Sequence, residues 1–111
     1  MTEPTIDLTT FAELQAAAGA GFVTELVGTF LEEAPPMLAE LRGAQAAGAA
    51  DAFRRAAHTL KSNCNTFGAT RLGELARDLE LGGLIADTAP LDALEAEYQR
   101  VAAALTELCR G

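Results

Sequence analysis

The sequence is poor in the residues that build β-sheets. Among its 111 residues there is no tryptophan and one tyrosine, and aromatic residues make up only 5%. Valine and isoleucine are also few, whereas alanine, a strong helix former, is abundant. This composition predicts an all-α fold, and the length predicts a single domain spanning residues 1–111.

Three other scarcities limit where the protein works and what it binds. Its two cysteines, Cys64 and Cys109, make no disulfide framework, so we expect a reducing cytoplasm. No apolar run is long enough to span a membrane, and the N-terminus does not resemble a signal peptide. The sequence has eight basic and sixteen acidic residues, which gives a net charge of −8. This charge argues against nucleic acids and anionic membrane surfaces as partners.

Glycines and prolines divide the chain into helical segments. Asp7, Asp51 and Thr70 are the predicted N-caps of the first, third and fourth helices. Four long amphipathic segments joined by short loops predict an antiparallel four-helix bundle, with the short first helix as a lid. The predicted helices cover roughly residues 8–18, 21–47, 51–67, 71–81 and 88–108.

The second segment carries two adjacent prolines, Pro35 and Pro36, near its middle. Prolines remove backbone donors and bend helices. The apolar stripe nevertheless stays in phase through them, which favours one long, kinked helix, while two separate helices remain an alternative. The stripe consists of Phe22, Leu26, Phe30, Ala34, Met37 and Leu41.

The third helix has two chemically different faces. At about 100° per residue, one side collects only apolar residues and cysteine; these are Phe53, Ala56, Ala57, Leu60, Cys64 and Phe67. The other side carries His58, the only histidine, within a stripe of hydrogen-bond donors that contains no acid and suits an anion. The other members of this stripe are Arg54, Arg55, Lys61, Ser62 and Asn65.

Several chemistries for His58 conflict with its surroundings. A di-iron site needs a glutamate at the position of Arg55 and a second histidine. A zinc site would use Cys64, which the helical wheel of the third helix places on the core side, away from His58. A catalytic serine at Ser62 would need an acid to orient the imidazole, and the stripe has none. Histidine can itself act as a nucleophile at neutral pH, so a nucleophilic imidazole competes with a plain surface histidine.

The segment AHTLKSNCNTFGA, residues 57–69, resembles the signature of histidine-containing phosphotransfer (HPt) domains. The match consists of H-x-L-K at residues 58–61 and the pair Gly68-Ala69, in register with the helical layout. The likeness extends along the chain through an Ile6-Asp7 opening and a series in the second and fourth helices. That series is Phe30, Glu33, Pro36, Leu38, Leu41, Leu75, Leu79 and Glu80.

This resemblance implies a carrier in a multistep phosphorelay. His58 Nε2 would accept a phosphoryl group from the aspartyl phosphate of a response-regulator receiver domain and pass it to a second receiver. The implied partners are receiver domains and a hybrid sensor histidine kinase. The carrier itself would be a monomer without a cofactor or metal, and not an enzyme, because the receiver is expected to supply Mg²⁺ and the positioning groups.

The resemblance also suggests roles for individual residues. Lys61 would offset phosphoryl charge. Glu80 would either accept the Nδ1 proton of His58 or be a plain surface acid. Ser62 stands where the family usually has glycine, which is expected to tune partner choice or rate. The candidate binding residues are Arg54, Arg55, Ser62, Asn65, Gly68 and Leu14.

The first helix and the start of the second offer apolar candidates for the contact with a receiver. Phe11 and Phe22 are expected in the core, and Leu14 or Leu8 is expected to be exposed. Two further functions stay open. One is a helical adaptor that binds receivers or kinases without phosphotransfer, against which His58 and Lys61 argue. The other is the phosphorylated domain of a chemotaxis-type kinase. A free protein and an excised domain of a hybrid kinase are not distinguished.

Overall fold

The computed structural model describes residues 5–110, which form five α-helices and no strand. The predicted all-α class is therefore confirmed. The helices are α1 (Leu8–Ala18), α2 (Ala20–Ala47), α3 (Ala50–Phe67), α4 (Thr70–Gly82) and α5 (Ala89–Arg110).

Helices α2 to α5 form the predicted four-helix bundle. Each packs against the next along the chain, and α5 closes the ring by packing against α2. The short α1 leaves this ring at a bend of 118° and packs across α2 and α3. Within residues 5–110, no single helix is long and apolar enough to cross a bilayer; only α1 and α2 taken together, despite that bend, pass the same test of length and composition.

The turns that follow α2 and α3 are each built on a glycine. Gly48 and Gly68 have φ values of +68° and +79°, in the left-handed region that other L residues avoid. In the second turn the Ala69 amide donates to the Cys64 carbonyl at 2.9 Å, which ends α3 in the manner of a Schellman motif. Both glycine stops agree with the sequence prediction.

The starts of α3 and α4 differ from the prediction. Asp51 and Thr70 were expected to cap these helices, but both residues lie in the first turn. The N-cap positions are Ala49 and Ala69, and neither makes a side-chain cap bond. The two capping predictions are wrong because each glycine turn leaves a single residue before the next helix. The Asp7 cap of α1 is confirmed, since its carboxylate accepts from Thr9 N at 3.1 Å.

The prolines lie inside α2, which is a single helix from Ala20 to Ala47. Pro35 has no N–H to donate to the carbonyl of Leu31, four residues earlier. The hydroxyl of Tyr98 on α5 donates to that carbonyl at 3.4 Å. A side chain from the opposite helix thus replaces one of the lost backbone bonds, and the one-helix alternative is confirmed.

The buried stripe of α2 is shifted by one residue at three places. Phe22 was expected in the core but is 53% exposed, and Val23 is buried instead. The same exchange occurs further along, where Val27 and Leu38 are buried while their apolar neighbours are only partly covered. Adjacent apolar residues give two stripes of equal periodicity, so the sequence did not separate them.

Helix α1 is fixed to the end of α3 at Gly68. The Asp7 amide donates to the Gly68 carbonyl at 2.8 Å. A Cβ at Gly68 would lie 2.9 Å from the Asp7 carbonyl oxygen and 3.0 Å from the Thr10 Cβ. This close approach and the positive φ both require glycine. Phe11 of α1 is buried, as expected.

Candidate functional site

Helix α3 places His58 on the solvent side of the bundle. The six residues predicted for its core face are all buried, so the division of this helix into two faces is confirmed. The His58 side chain is 56% exposed. A rigid, eighteen-residue helix with one fully packed face therefore holds a histidine that a partner protein can reach.

Helix α4 supplies a carboxylate to this histidine. Glu80 Oε2 lies 2.7 Å from His58 Nδ1, although the two residues are 22 positions apart in the chain. The Glu80 side chain is only 14% exposed. Because an ionised carboxylate accepts hydrogen bonds and does not donate them, the neutral imidazole bonded to it carries its proton on Nδ1. The Nε2 lone pair is then free.

Lys61 contacts the other oxygen of the same carboxylate. Its Nζ lies 2.8 Å from Glu80 Oε1, and the Lys61 side chain is 25% exposed. The contact is an ion pair without hydrogen-bond alignment. One carboxylate on α4 thus joins the only histidine and the only lysine of the chain, which lie three residues apart on α3.

The ammonium and the imidazole both act on the ionisation of Glu80. The Lys61 contact, followed by the hydrogen bond and charge of His58, lowers the pKa of Glu80, while partial desolvation opposes this effect. The carboxylate therefore stays ionised at neutral pH. It remains an acceptor for the Nδ1 proton over the whole physiological range.

The acid beside His58 changes one step of the sequence argument. A catalytic serine was excluded because no acid lies on the donor stripe, yet Glu80 reaches the stripe from the neighbouring helix. That ground for exclusion is wrong, because a wheel of α3 shows only the residues of α3. Ser62 itself is exposed, and in residues 5–110 its hydroxyl makes no hydrogen bond to His58. A serine nucleophile therefore has no bonded base.

The other stripe residues lie before and after His58 along α3 and have different neighbours. Arg54 and Arg55 are exposed one turn before it; Arg54 lies 3.9 Å from Asp51, and Arg55 Nε donates weakly to the Asp51 carbonyl at 3.4 Å. Asn65, two turns after His58, lies against α4 at Gly73, where a Cβ would approach its Oδ1 to 3.1 Å. All three side chains are exposed, so each is accessible to a partner.

The candidates near α1 lie at the far end of α3. Gly68 is ten residues from His58, about 15 Å along the helix, and it is buried against α1. Leu14 is half-buried against the core, whereas Leu8 is 59% exposed. The observed contacts give Gly68 a packing role, and no described contact joins it or Leu14 to His58.

Cys64 is a core residue, as the wheel predicted. It is fully buried, and burial raises the pKa of its thiol to about 12. At neutral pH it stays protonated, so it is neither a thiolate nucleophile nor a ready metal ligand. Across residues 5–110 no three histidine, cysteine or acidic side chains are grouped to hold a metal ion.

The shared carboxylate is the feature that sequence reasoning missed. Glu80 and Lys61 were assigned separate roles, and their direct contact was not considered. A wheel of α4 offers the missing signal, because Glu80 lies at the edge of the buried face formed by Leu72, Ala76 and Leu79. An acid at such an edge reaches the polar edge of the neighbouring helix.

Comparison with known proteins gives one family match. A family model described as the Hpt domain matches residues 25–104, which include all of α3 and α4 and most of α2 and α5. No curated protein and no solved structure is similar enough to this chain to count as a match. The matched range contains His58, Lys61 and Glu80.

Proposed function

The chain belongs to the Hpt domain family, and on that premise we propose that His58 is its phosphoryl-carrying residue. Membership implies histidine phosphotransfer in a phosphorelay, in which Hpt domains are phosphocarriers. We propose that His58 Nε2 accepts the group from a receiver-domain aspartyl phosphate and passes it to another receiver. The observation that carries this proposal is the bond between His58 Nδ1 and Glu80, which leaves Nε2 free on an exposed ring.

The transfer step follows from the tautomer that Glu80 selects. The Nε2 lone pair attacks phosphorus, the Nε2–P bond forms, and the P–O bond to the receiver's aspartate breaks. The aspartate leaves as a carboxylate. The ring keeps its Nδ1 proton and acquires positive charge, which the anionic Glu80 stabilises at 2.7 Å. Return of the electron pair to Nε2 in the reverse step regenerates the same neutral tautomer.

Lys61 supports this step in two ways. Its ammonium holds the Glu80 carboxylate at 2.8 Å, which fixes the acceptor of the Nδ1 proton. An ammonium has three donors, so the same group can turn another N–H toward the phosphoryl oxygens. Charge stabilisation by Lys61, expected from the resemblance, therefore operates beside a positioning role through Glu80.

The partner completes the chemistry and sets the specificity. A receiver domain is proposed to bring Mg²⁺ and its own positioning groups, and a hybrid sensor histidine kinase is proposed as the source of the phosphoryl group. Arg54 and Arg55 are exposed on the approach to His58 and complement an acidic rim on a receiver. Ser62, one turn after His58, presents a hydroxyl to the same approach and is proposed to tune partner choice.

The experiment that tests this function is a transfer assay with a panel of phosphorylated receivers. Radiolabelled receivers are mixed with the full chain, and the label is followed onto the carrier and then onto a second receiver. Acid-labile, alkali-stable label on the wild type and none on His58→Gln supports the proposal. Binding of receivers without any transfer of label would favour the adaptor function instead.

A further inference from the structure

Arg77 of α4 is an exposed arginine near the site that forms no ion pair with the residues around it in the part of the chain that the structure describes. Within residues 5–110 its guanidinium makes no ion pair or side-chain hydrogen bond. The cation nearest to His58 along α3, Lys61, already contacts Glu80. For an anion that binds at His58, the charge of Lys61 is therefore partly neutralised by Glu80, whereas the guanidinium of Arg77 is available for binding.

The register of α3 and α4 places Arg77 beside the site. Two contacts define the pairing of the helices: Glu80 meets His58, and Gly73 meets Asn65. Gly73 lies seven residues before Glu80 on α4, whereas Asn65 lies seven residues after His58 on α3. The two helices therefore run antiparallel with a constant pairing over this stretch. By the same pairing Arg77 lies level with Lys61, about 4.5 Å along the axis from the level of His58.

The turn of α4 directs Arg77 to the solvent edge of the groove between the two helices. Ala76 and Leu79 are buried on the core side of Glu80. At about 100° per residue, Arg77 falls about 60° from Glu80 on the opposite, outward side. His58 occupies the matching outward edge of α3, since its ring is bonded to α4 and yet 56% exposed. Both side chains border the same open groove.

We propose that Arg77 binds the phosphoryl group while it is carried on His58. Its role rests on the proposed function and adds a residue to it. A guanidinium donates two parallel hydrogen bonds to phosphoryl oxygens, a geometry that a single ammonium does not offer. Arg77 forms no covalent bond and exchanges no proton; it offsets the negative charge of the group when the Nε2–P bond forms and when it breaks.

Arg54 and Arg55 are less suited to this contact. Both are one turn before His58, on the side away from the Lys61 level, and both already interact with Asp51. Their exposure suits contact with the rim of a partner. Arg77 lies on a second helix, across the groove from the imidazole and at the level of Lys61.

Phosphoramidate, a small phosphodonor with no protein surface, separates phosphoryl binding from partner docking. In this reaction the Nε2–P bond forms, the P–N bond of the donor breaks and ammonia leaves. The test compares the rate of His58 phosphorylation, followed by ³¹P NMR, in the wild type, Arg77→Gln, Arg77→Lys and Arg71→Gln. Arg71 is the matched control, because it is an exposed arginine on α4 near Phe67, at the other end of α3.

Loss of a charge-assisted hydrogen bond predicts a rate about tenfold lower for Arg77→Gln. Arg71→Gln is expected to match the wild type, and Arg77→Lys to recover part of the rate. Equal rates for Arg77→Gln and Arg71→Gln would overturn the inference, as would a loss confined to transfer from receivers, which would make Arg77 a docking residue. A ³¹P signal of a phosphorylated protein in His58→Gln, in contrast, would overturn the proposed function itself.

Discussion

Among residues 5–110, two ion clusters join neighbouring helices of this bundle, and they are built in opposite ways. Between α2 and α5 one cation serves two acids: Arg42 donates to Glu95 at 2.7 and 3.0 Å and to Asp92 at 2.6 Å. Between α3 and α4 one acid serves two nitrogen groups, because Glu80 contacts both His58 and Lys61. We refer to these as the Arg42 cluster and the His58 cluster.

The difference lies in what each cluster leaves unsatisfied. In the Arg42 cluster the guanidinium bonds both carboxylates, which lowers the pKa of Glu95 and raises that of Arg42. In the His58 cluster Glu80 bonds only one of the two imidazole nitrogens, Nδ1. The other nitrogen, Nε2, remains available on an exposed ring. The same helix-to-helix contact can therefore stabilise a bundle or prepare a nucleophile, depending on whether one partner has a second reactive atom.

The largest expected effect comes from removing that atom. His58→Gln keeps a polar side chain on the exposed face of α3 but has no nucleophilic nitrogen, so phosphoryl acceptance is expected to fall to zero. Helical circular dichroism should not change, because the core face is untouched. Acid-labile label on this variant would contradict the assignment, since the chain has no other imidazole.

Replacing each acid by its amide separates the two clusters. Glu80→Gln removes the anion that balances charge on the ring, and we expect phosphotransfer to slow by roughly ten- to a hundredfold. Glu80→Ala should in addition mix the two ring tautomers, which ¹⁵N shifts of the single imidazole report directly. The matched change Glu95→Gln is expected to leave the transfer rate and the tautomer unchanged. Equal transfer rates in the Glu80 and Glu95 variants would show that the two clusters do not differ in their effect on phosphotransfer.

The role of Lys61 is tested by a double-mutant cycle with Glu80. Lys61→Met alone is expected to slow transfer about tenfold, because Glu80 loses its contact and the phosphoryl group loses a nearby charge. If Lys61 acts mainly through Glu80, the same change costs less in a Glu80→Gln background. Strict additivity of the two effects would instead indicate that Lys61 acts on the phosphoryl group alone.

The smallest expected effects are on stability, and they depend on pH in a definite direction. The pKa of Glu95 is below its ordinary value of 4.5 in the folded protein, so its ion pair stabilises the fold above that pH. This contribution is lost as the pH falls through the folded-state pKa. Arg42→Gln should therefore lower the melting temperature by roughly a few degrees at neutral pH and by less near pH 3. A constant difference at both pH values would contradict this account.

The sequence predicted most of what lies within a single helix. The two faces of α3 followed from its periodicity, because the buried residues recur at helical spacing in a segment whose other positions, apart from Ala50 and Ala52, are polar. In α2 the same method misplaced Phe22, because Phe22 and Val23 are adjacent apolar residues and either can belong to a stripe of helical periodicity. The predicted caps at Asp51 and Thr70 failed for another local reason, the tight glycine turns before α3 and α4.

By itself the sequence determined the helices, the exposure of His58 and, through the H-x-L-K segment, the family. Helical periodicity and glycine stops depend on residues a few positions apart, so they can be read along the chain. Only the tertiary structure decided that Glu80 meets both His58 and Lys61, that Gly68 receives α1, and that Arg77 borders the groove. Those contacts depend on the register between helices, which is set by the packing of buried side chains and not by any local pattern.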